Sequence, residues 1–121
     1  MKSILLVEDD PFILDIYKEQ FIREGFGVEV ATDGVMALEK VKNAIPDVMV
    51  LDILLPKMDG WNVLREMRQD VALKNVKVIV ISNLNREDFE NDISQLGVSK
   101  YFLKIESTPE EIANAIKEIL K

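Results

Sequence analysis

The sequence contains no cysteine and no histidine among its 121 residues. The first absence excludes disulfide bonds and thiol nucleophiles, and the second removes the most common general base and zinc ligand. There is also no Ser/Gly linker or low-complexity tract. Any chemistry at a site in this chain must therefore depend on carboxylates, hydroxyls and lysines.

Long hydrophobic runs are missing as well. No apolar stretch approaches the roughly 20 residues that a membrane-spanning helix needs. The opening MKSILLVEDD reaches acidic residues too early for a signal peptide. We therefore expect a cytoplasmic protein with no membrane contact. A net charge of −7 argues against direct binding to nucleic acid and suits a chain that meets basic surfaces or holds a cation.

What is present is a regular alternation of two kinds of segment. Hydrophobic residues make up 48% of the chain and charged residues 31%, which is typical of a globular domain with a core. Five short apolar runs are predicted to be strands, and each is followed by a segment with helical periodicity. The runs are Ser3–Val7, Val28–Ala31, Val48–Leu51, Val76–Ile81 and Tyr101–Leu103. This alternation predicts one α/β domain, residues 1–121, with a parallel sheet.

Several helix ends carry local signals. Asp10 before Pro11 is expected to be the N-cap of the first helix. The first and fourth helical segments are followed by Gly25 and Gly97, which are candidate C-caps. The fifth segment opens with Thr108-Pro109-Glu110-Glu111, a capping box with proline at the first helical position. The fourth segment, with apolar residues at Phe89, Ile93 and Leu96, is expected to be one amphipathic helix.

Polar side chains follow four of the predicted strands. Glu8 and Asp9 come after the first strand, Asp52 after the third, Ser82 after the fourth and Lys104 after the fifth. The carboxyl ends of parallel strands share one edge of the sheet, where ligands bind in open α/β domains. Carboxylates that converge there repel each other unless a cation offsets the charge, and Mg²⁺ prefers such oxygen ligands. The sequence therefore predicts a magnesium site at this edge.

These residue types can also transfer a phosphoryl group. A cation and Lys104 together would hold phosphoryl oxygens, a carboxylate would act as the nucleophile, and Ser82 would donate a hydrogen bond. Taken singly, each residue has an ordinary structural interpretation: Asp52 as a loop acid, Lys104 as a surface lysine, Tyr101 as a core aromatic. Their joint placement at four strand ends favours the site.

Four segments occur in the order expected of a known family: LLVEDDP, DVMVLDILLPKMDG, VKVIVISN and KYFLK. The most specific of these runs from Leu51-Asp52 to Pro56-Lys57-Met58-Asp59-Gly60. Over its whole length the chain resembles a response-regulator receiver domain. The resemblance implies a doubly wound, five-stranded parallel sheet in the order 2-1-3-4-5 with five helices, a flavodoxin-like or CheY-like fold.

The resemblance also implies a function for the acids. Asp52 would accept a phosphoryl group from a histidine kinase or a phosphotransfer protein in a magnesium-dependent reaction. Glu8 and Asp9 match the acidic pair that binds Mg²⁺, and Asp52 with the backbone carbonyl of Leu54 would complete the protein ligands. The domain would catalyse only its own phosphorylation and dephosphorylation and would not be an enzyme otherwise.

Three further residues match the switching machinery of the family. Ser82 matches the hydroxyl that turns toward the phosphoryl group, and Lys104 matches the lysine that pairs with it. Tyr101 matches the aromatic whose ring changes rotamer and moves into the space that is vacated. The resulting population shift would be read by an output domain or a separate protein through the fourth and fifth helices.

The sequence departs from the family pattern at several positions. Ile105 follows Lys104 where proline is usual, so we expect either a trans peptide with a re-formed loop or a strained cis peptide. Asn83 replaces a small residue and would narrow access for a phosphodonor. Leu54 and Leu84 offer no group to orient an attacking water, which predicts slow self-dephosphorylation. A phosphoryl half-life no longer than that of Leu84→Asn would contradict this expectation.

Two other functions fit parts of the sequence. One is a receiver-fold binding module that signals without phosphorylation, which the changes at Asn83 and Ile105 would favour. The other is a magnesium-dependent phosphohydrolase with Asp52 as nucleophile. That class would require a second acid two residues after the nucleophile, where this sequence has Leu54. A generic phosphatase assay separates it from a receiver.

Overall fold

The computed structural model describes all 121 residues and consists of five strands that alternate with five helices. The strands are β1 (Ser3–Val7), β2 (Gly27–Ala31), β3 (Val48–Asp52), β4 (Lys77–Ser82) and β5 (Lys100–Leu103). The helices are α1 (Pro11–Arg23), α2 (Gly34–Asn43), α3 (Gly60–Gln69), α4 (Glu90–Gln95) and α5 (Pro109–Ile119). Two short 3₁₀ turns span Arg86–Phe89 and Lys104–Glu106.

The strands form one parallel sheet in the order β2-β1-β3-β4-β5, which confirms the predicted fold class. All five residues of the central strand β3 are buried, since helices cover both faces of the sheet. Leu6 of β1 lies between Val30 of β2 and Val50 of β3, and Asp52 pairs with Ile81 of β4. This register brings the carboxyl ends of β1, β3 and β4 to one edge.

Two hydrophobic cores lie on opposite faces of the sheet. Successive strand residues point to opposite faces, so Leu5 packs in the core beneath α2 and α3 while Ile4 packs in the core beneath α1 and α5. Leu64 of α3 is fully buried in the first core, and Ile116 of α5 is fully buried in the second. Each helix except α4 contributes buried side chains to one of the two cores.

The local helix signals are mostly confirmed. The carboxylate of Asp10 accepts hydrogen bonds from the N–H groups of Phe12 (2.9 Å) and Ile13 (3.3 Å) at the start of α1. Gly25 and Gly97 have φ values of +94° and +66°, in the left-handed region that glycine adopts at helix ends. At α5 the Thr108 hydroxyl accepts from the N–H of Glu111 (3.1 Å). The Glu111 carboxylate returns to that hydroxyl and not to the backbone, so the capping box is half formed.

The predicted fourth helix is present, but it is short. The segment is divided into a 3₁₀ turn and the six-residue α4, and neither part begins with a side-chain cap. Phe89, Ile93 and Leu96 do pack toward the α2–α3 core, but they are only half-buried. A short helix without a cap or a buried side chain receives little stability from its own residues. Its position therefore depends on neighbouring elements.

The peptide between Lys104 and Ile105 is trans, because the chain contains no cis peptide bond. Of the two arrangements expected for this peptide, the structure has the trans bond with a re-formed loop. Lys104 begins a 3₁₀ turn, and the Ile105 side chain is largely exposed. None of the helices combines the length and the apolar character that crossing a bilayer requires.

Candidate functional site

Three predicted acids lie together at the carboxyl edge of the sheet. Oxygen atoms of Glu8, Asp9 and Asp52, one from each, lie within 4.8 Å of one another. Asp52 is the last residue of the buried strand β3, and Glu8 follows β1, where its N–H donates to the carbonyl of Ala31. Glu8 and Asp52 are buried, while Asp9 is exposed. The predicted convergence of carboxylates is therefore present, with one of its members open to solvent.

Lys104 reaches two of these acids. Its Nζ lies 2.8 Å from Oδ2 of Asp52 and 2.6 Å from Oε1 of Glu8. Burial disfavours the charged ammonium, but the close contacts with the carboxylates of Asp52 and Glu8 outweigh it, so the pKa of Lys104 is raised above its ordinary value. Three carboxylates and one ammonium leave two net negative charges at the site when all are ionised.

Of the two buried acids, Glu8 is the one with a carboxylate oxygen that accepts no hydrogen bond. Burial raises its pKa, and the contacts with Lys104 and with the N–H of Asp10 offset this effect only in part. Oε2 accepts from Asp10 N–H at 3.1 Å, whereas Oε1 has an ion pair with Lys104 that lacks hydrogen-bond geometry. A buried carboxylate oxygen without a hydrogen bond is uncommon because it is costly. This oxygen could therefore also serve as a ligand for a cation beside Lys104.

The donor set fits a hard divalent cation. All candidate ligand atoms are carboxylate oxygens, which suit Mg²⁺, and the two net negative charges match its charge. The fourth predicted ligand, the carbonyl of Leu54, stays a prediction. Leu54 lies two residues beyond Asp52 in the loop after β3, and its side chain is exposed.

Both carboxylate oxygens of Asp52 are held in place. Oδ1 accepts from the N–H of Ile53 at 2.7 Å, and Oδ2 accepts from Lys104. The loop after β3 folds back on this position, because the N–H of Gly60 donates to the carbonyl of Ile53 at 2.8 Å. A Cβ atom at Gly60 would lie 2.5 Å from the carbonyl oxygen of Asp52, so only glycine allows this close approach.

Ser82 and Tyr101 hold the two backbone polar groups of Leu84 in the β4–α4 loop. The Ser82 Oγ accepts from the N–H of Leu84 at 3.0 Å, and the Tyr101 hydroxyl donates to the carbonyl of Leu84 at 2.6 Å. Ser82 has no hydrogen bond to Asp52 in this arrangement. Burial raises the pKa of Tyr101, whose ring lies in the core. The rotamer change expected of this ring on phosphorylation stays a prediction.

Sequence reasoning missed the backbone of Ile53 and Leu84. Their N–H and carbonyl groups hold the side chains of Asp52, Ser82 and Tyr101. The sequence suggests a role only for the apolar side chain of Leu84, and nothing in its residue type signals that both its N–H and its carbonyl are hydrogen-bonded. The one sequence signal for Leu84 is its position two residues after the end of β4, next to the predicted site.

Comparisons with known proteins find similar sequences over almost the whole chain. A family model described as "Response regulator receiver domain" matches residues 4–117. The chain is 35% identical over 121 residues to the alkaline phosphatase synthesis transcriptional regulatory protein PhoP of Bacillus subtilis (strain 168), which covers 99% of this chain and 49% of that protein. It is 32% identical over 119 residues to sporulation initiation phosphotransferase F of the same strain, covering 98% and 94% of the two chains.

A solved structure extends the likeness to three dimensions. The response regulator receiver domain protein (CheY-like) from Methanospirillum hungatei JF-1 superposes with a TM-score of 0.90 at 29% identity. The match covers 99% of this chain and 94% of that one. The chain spans about half the length of PhoP and of the probable transcriptional regulator ycf27 of Guillardia theta.

Proposed function

This chain belongs to the response regulator receiver family of two-component signalling, and we propose that it accepts a phosphoryl group on Asp52 from a histidine kinase or a phosphotransfer protein. The observation that supports this most directly is the position of the Lys104 ammonium, 2.8 Å from Asp52 at the edge of the acidic cluster. A buried carboxylate beside a fixed positive charge is suited to attack phosphorus and to hold the charged product.

The proposed reaction is an in-line displacement. An Asp52 carboxylate oxygen forms the new bond to phosphorus while the bond from phosphorus to the donor nitrogen breaks, and the electron pair leaves with that nitrogen. Lys104 pairs with the phosphoryl oxygens and Ser82 donates a hydrogen bond to them. Mg²⁺, when held by the carboxylates and the Leu54 carbonyl, supplies positive charge that stabilises the same oxygens.

Phosphorylation then changes a conformational equilibrium. The added charge at Asp52 favours an arrangement in which Ser82 and Lys104 bind the phosphoryl group, with Tyr101 as the aromatic that responds. Coupling energies of this kind are typically about 1–3 kcal/mol. We propose that residues 1–121 are one receiver domain whose signal is read by a downstream protein or by an output domain. Both arrangements have similar relatives. The chain matches only 49% of PhoP, which is a longer protein, and 94% of phosphotransferase F, which is about as long as this chain.

The test is the intact mass of the protein after incubation with acetyl phosphate, with and without Mg²⁺. We expect a gain of one phosphoryl group that requires both Mg²⁺ and Asp52. Asp52→Asn should abolish the gain, and Lys104→Met should reduce it strongly because the phosphoryl charge loses its partner. Asp59→Asn is a matched control: Asp59 lies seven residues further on and only caps α3.

No gain under any condition would contradict phosphoryl acceptance and would favour a binding module that signals without phosphorylation. Reverting Asn83 to alanine and Ile105 to proline would then test whether these two departures from the family block the reaction. Repeated turnover of a generic phosphatase substrate by the wild type, lost in Asp52→Asn, would instead indicate a phosphohydrolase.

A further inference from the structure

The part of the chain from Arg86 to Gln95, called here the α4 segment, has weak attachment of its own. It contains the first 3₁₀ turn and α4, and none of its side chains is buried. Neither the turn nor the helix begins with a side-chain cap. Segments with few buried apolar contacts open and rearrange at lower free energy than the core.

Helix α3 supplies the missing attachment. The Trp61 ring lies 5.2 Å from the ring of Phe89, measured between centroids, and Arg65 Nη2 lies 2.9 Å from Oδ1 of Asp92. Just beyond the segment, Arg68 Nε donates to the carbonyl of Leu96 at 2.7 Å. Positions 61, 65 and 68 follow the helical spacing that places side chains on one face. We call the three α3 residues, Trp61, Arg65 and Arg68, the α3 clasp.

The loop that leads into the α4 segment is held by the functional site. Leu84 is bonded through its N–H to Ser82 and through its carbonyl to Tyr101. If the hydroxyl of Ser82 turns to a group on Asp52, the N–H of Leu84 loses its acceptor. The loop then keeps only the Tyr101 bond, and the α3 clasp becomes the main restraint on the residues that follow.

We propose that the α3 clasp is a latch that stabilises the unphosphorylated arrangement and so sets how readily Asp52 is phosphorylated. The inference rests on the proposed function and adds a regulatory role for α3. Linkage is reciprocal: a contact made more strongly in the unphosphorylated state opposes phosphorylation by the same factor. The indole N–H of Trp61 is buried and has no hydrogen-bond acceptor in this arrangement. A buried unpaired donor is costly, so a rearrangement that gave it an acceptor would recover part of the energy lost when the α3 clasp opens.

Two variants weaken the latch from different sides. Arg65→Gln removes the ion pair to Asp92, and Phe89→Leu removes the ring that packs on Trp61 while keeping an apolar side chain. The control is Lys117→Gln, which removes a contact between α5 and Glu24 at the end of α1, outside the α4 segment. Circular dichroism and urea unfolding establish that each variant is folded.

The probe is beryllofluoride with Mg²⁺, which mimics a phosphoryl group on a carboxylate, titrated by calorimetry. We expect each weakened clasp to raise the affinity about threefold, in keeping with the size of an exposed ion pair or an aromatic contact. The control should retain the wild-type affinity. Trp61 is the only tryptophan, so its emission reports on the clasp, and it should change on binding in the wild type and not in Asp52→Asn.

Unchanged or lower affinity in both variants, with normal binding by the wild type, would overturn the latch and leave the proposed function intact. If Arg65→Gln does not fold, Asp92→Asn breaks the same ion pair from the α4 side and replaces it in the comparison. Failure of the wild type to bind beryllofluoride and to react with acetyl phosphate would overturn the proposed function and the latch with it.

Discussion

Helix α5 and the α4 segment lie on either side of β5 in the sequence, yet they are attached to the domain in different ways. Helix α5 begins with a Thr108 cap and a proline and buries Ile112, Ala113 and Ile116. The α4 segment has no cap and no fully buried side chain. Its contacts are ring packing and one ion pair supplied by α3, together with half-buried apolar side chains.

This difference in attachment makes α5 a fixed part of the structure and leaves the α4 segment able to move. Burial of apolar side chains contributes most of the stability of a helix in a protein, so α5 is fixed by the core. The α4 segment is fixed by contacts that are individually weak and partly exposed to solvent. Such a segment can rearrange at small cost, as the population shift proposed for phosphorylation requires.

The largest expected difference in the free energy of unfolding is between alanine variants of two isoleucines, one in each helix. Ile116→Ala in α5 removes a fully buried side chain and should lower the free energy of unfolding by about 3 kcal/mol. Ile93→Ala in α4 removes a half-buried one and should cost about 1 kcal/mol. Urea unfolding measures both values. Equal costs would show that the α4 segment is part of the core after all.

The next effect concerns Arg68, which links α3 to the end of the α4 segment. Its guanidinium donates to several backbone carbonyls, those of Leu73, Lys74, Val76, Leu96 and Gly97. Arg68→Met keeps the apolar stem and removes all of these hydrogen bonds, so we expect a loss of roughly 2 kcal/mol in urea unfolding. Arg86→Met, in the 3₁₀ turn, alters an exposed arginine for which no hydrogen bond is seen, and should cost far less.

Helix caps give a smaller and equally direct comparison. Thr108→Ala removes the acceptor of the Glu111 N–H and should cost about 1 kcal/mol. Asn85 occupies the corresponding position before the 3₁₀ turn and makes no capping hydrogen bond. Asn85→Ala should therefore leave thermal and urea stability nearly unchanged. A cost equal to that of Thr108→Ala would mean that the α4 segment is capped in solution.

The smallest effect depends on pH and on the contact between α5 and α1. Hydrogen bonds from Lys117 and then Gln20 lower the pKa of Glu24 below its ordinary value of 4.5. Because the folded pKa is the lower one, the stabilisation is fully present above pH 4.5 and is lost as pH falls through the folded pKa. Glu24→Gln should therefore lose less stability than the wild type on acidification below pH 4.5, as measured by urea unfolding at several pH values. Identical slopes would show that this contact does not hold α5.

The sequence predicted best where the signals are local or depend on topology. Asp10 and Thr108 cap their helices through neighbouring N–H groups, so residue type and position sufficed. Convergence of Glu8, Asp52 and Lys104 followed from the rule that parallel strands end at one edge. The fourth helix is present as predicted, but its apolar spacing did not reveal that Phe89 lies in a 3₁₀ turn or that the helix lacks a cap and a buried side chain.

Residue order alone determined the alternation of strands and helices and the kinds of polar group at the strand ends, because both depend on patterns over a few residues. Tertiary structure decided which atoms meet. It placed Lys104 between Glu8 and Asp52, bonded Ser82 to the peptide of Leu84, and set α3 against the α4 segment. These contacts join residues far apart in the chain or involve backbone groups common to every residue, so only packing of the whole domain fixes their distances.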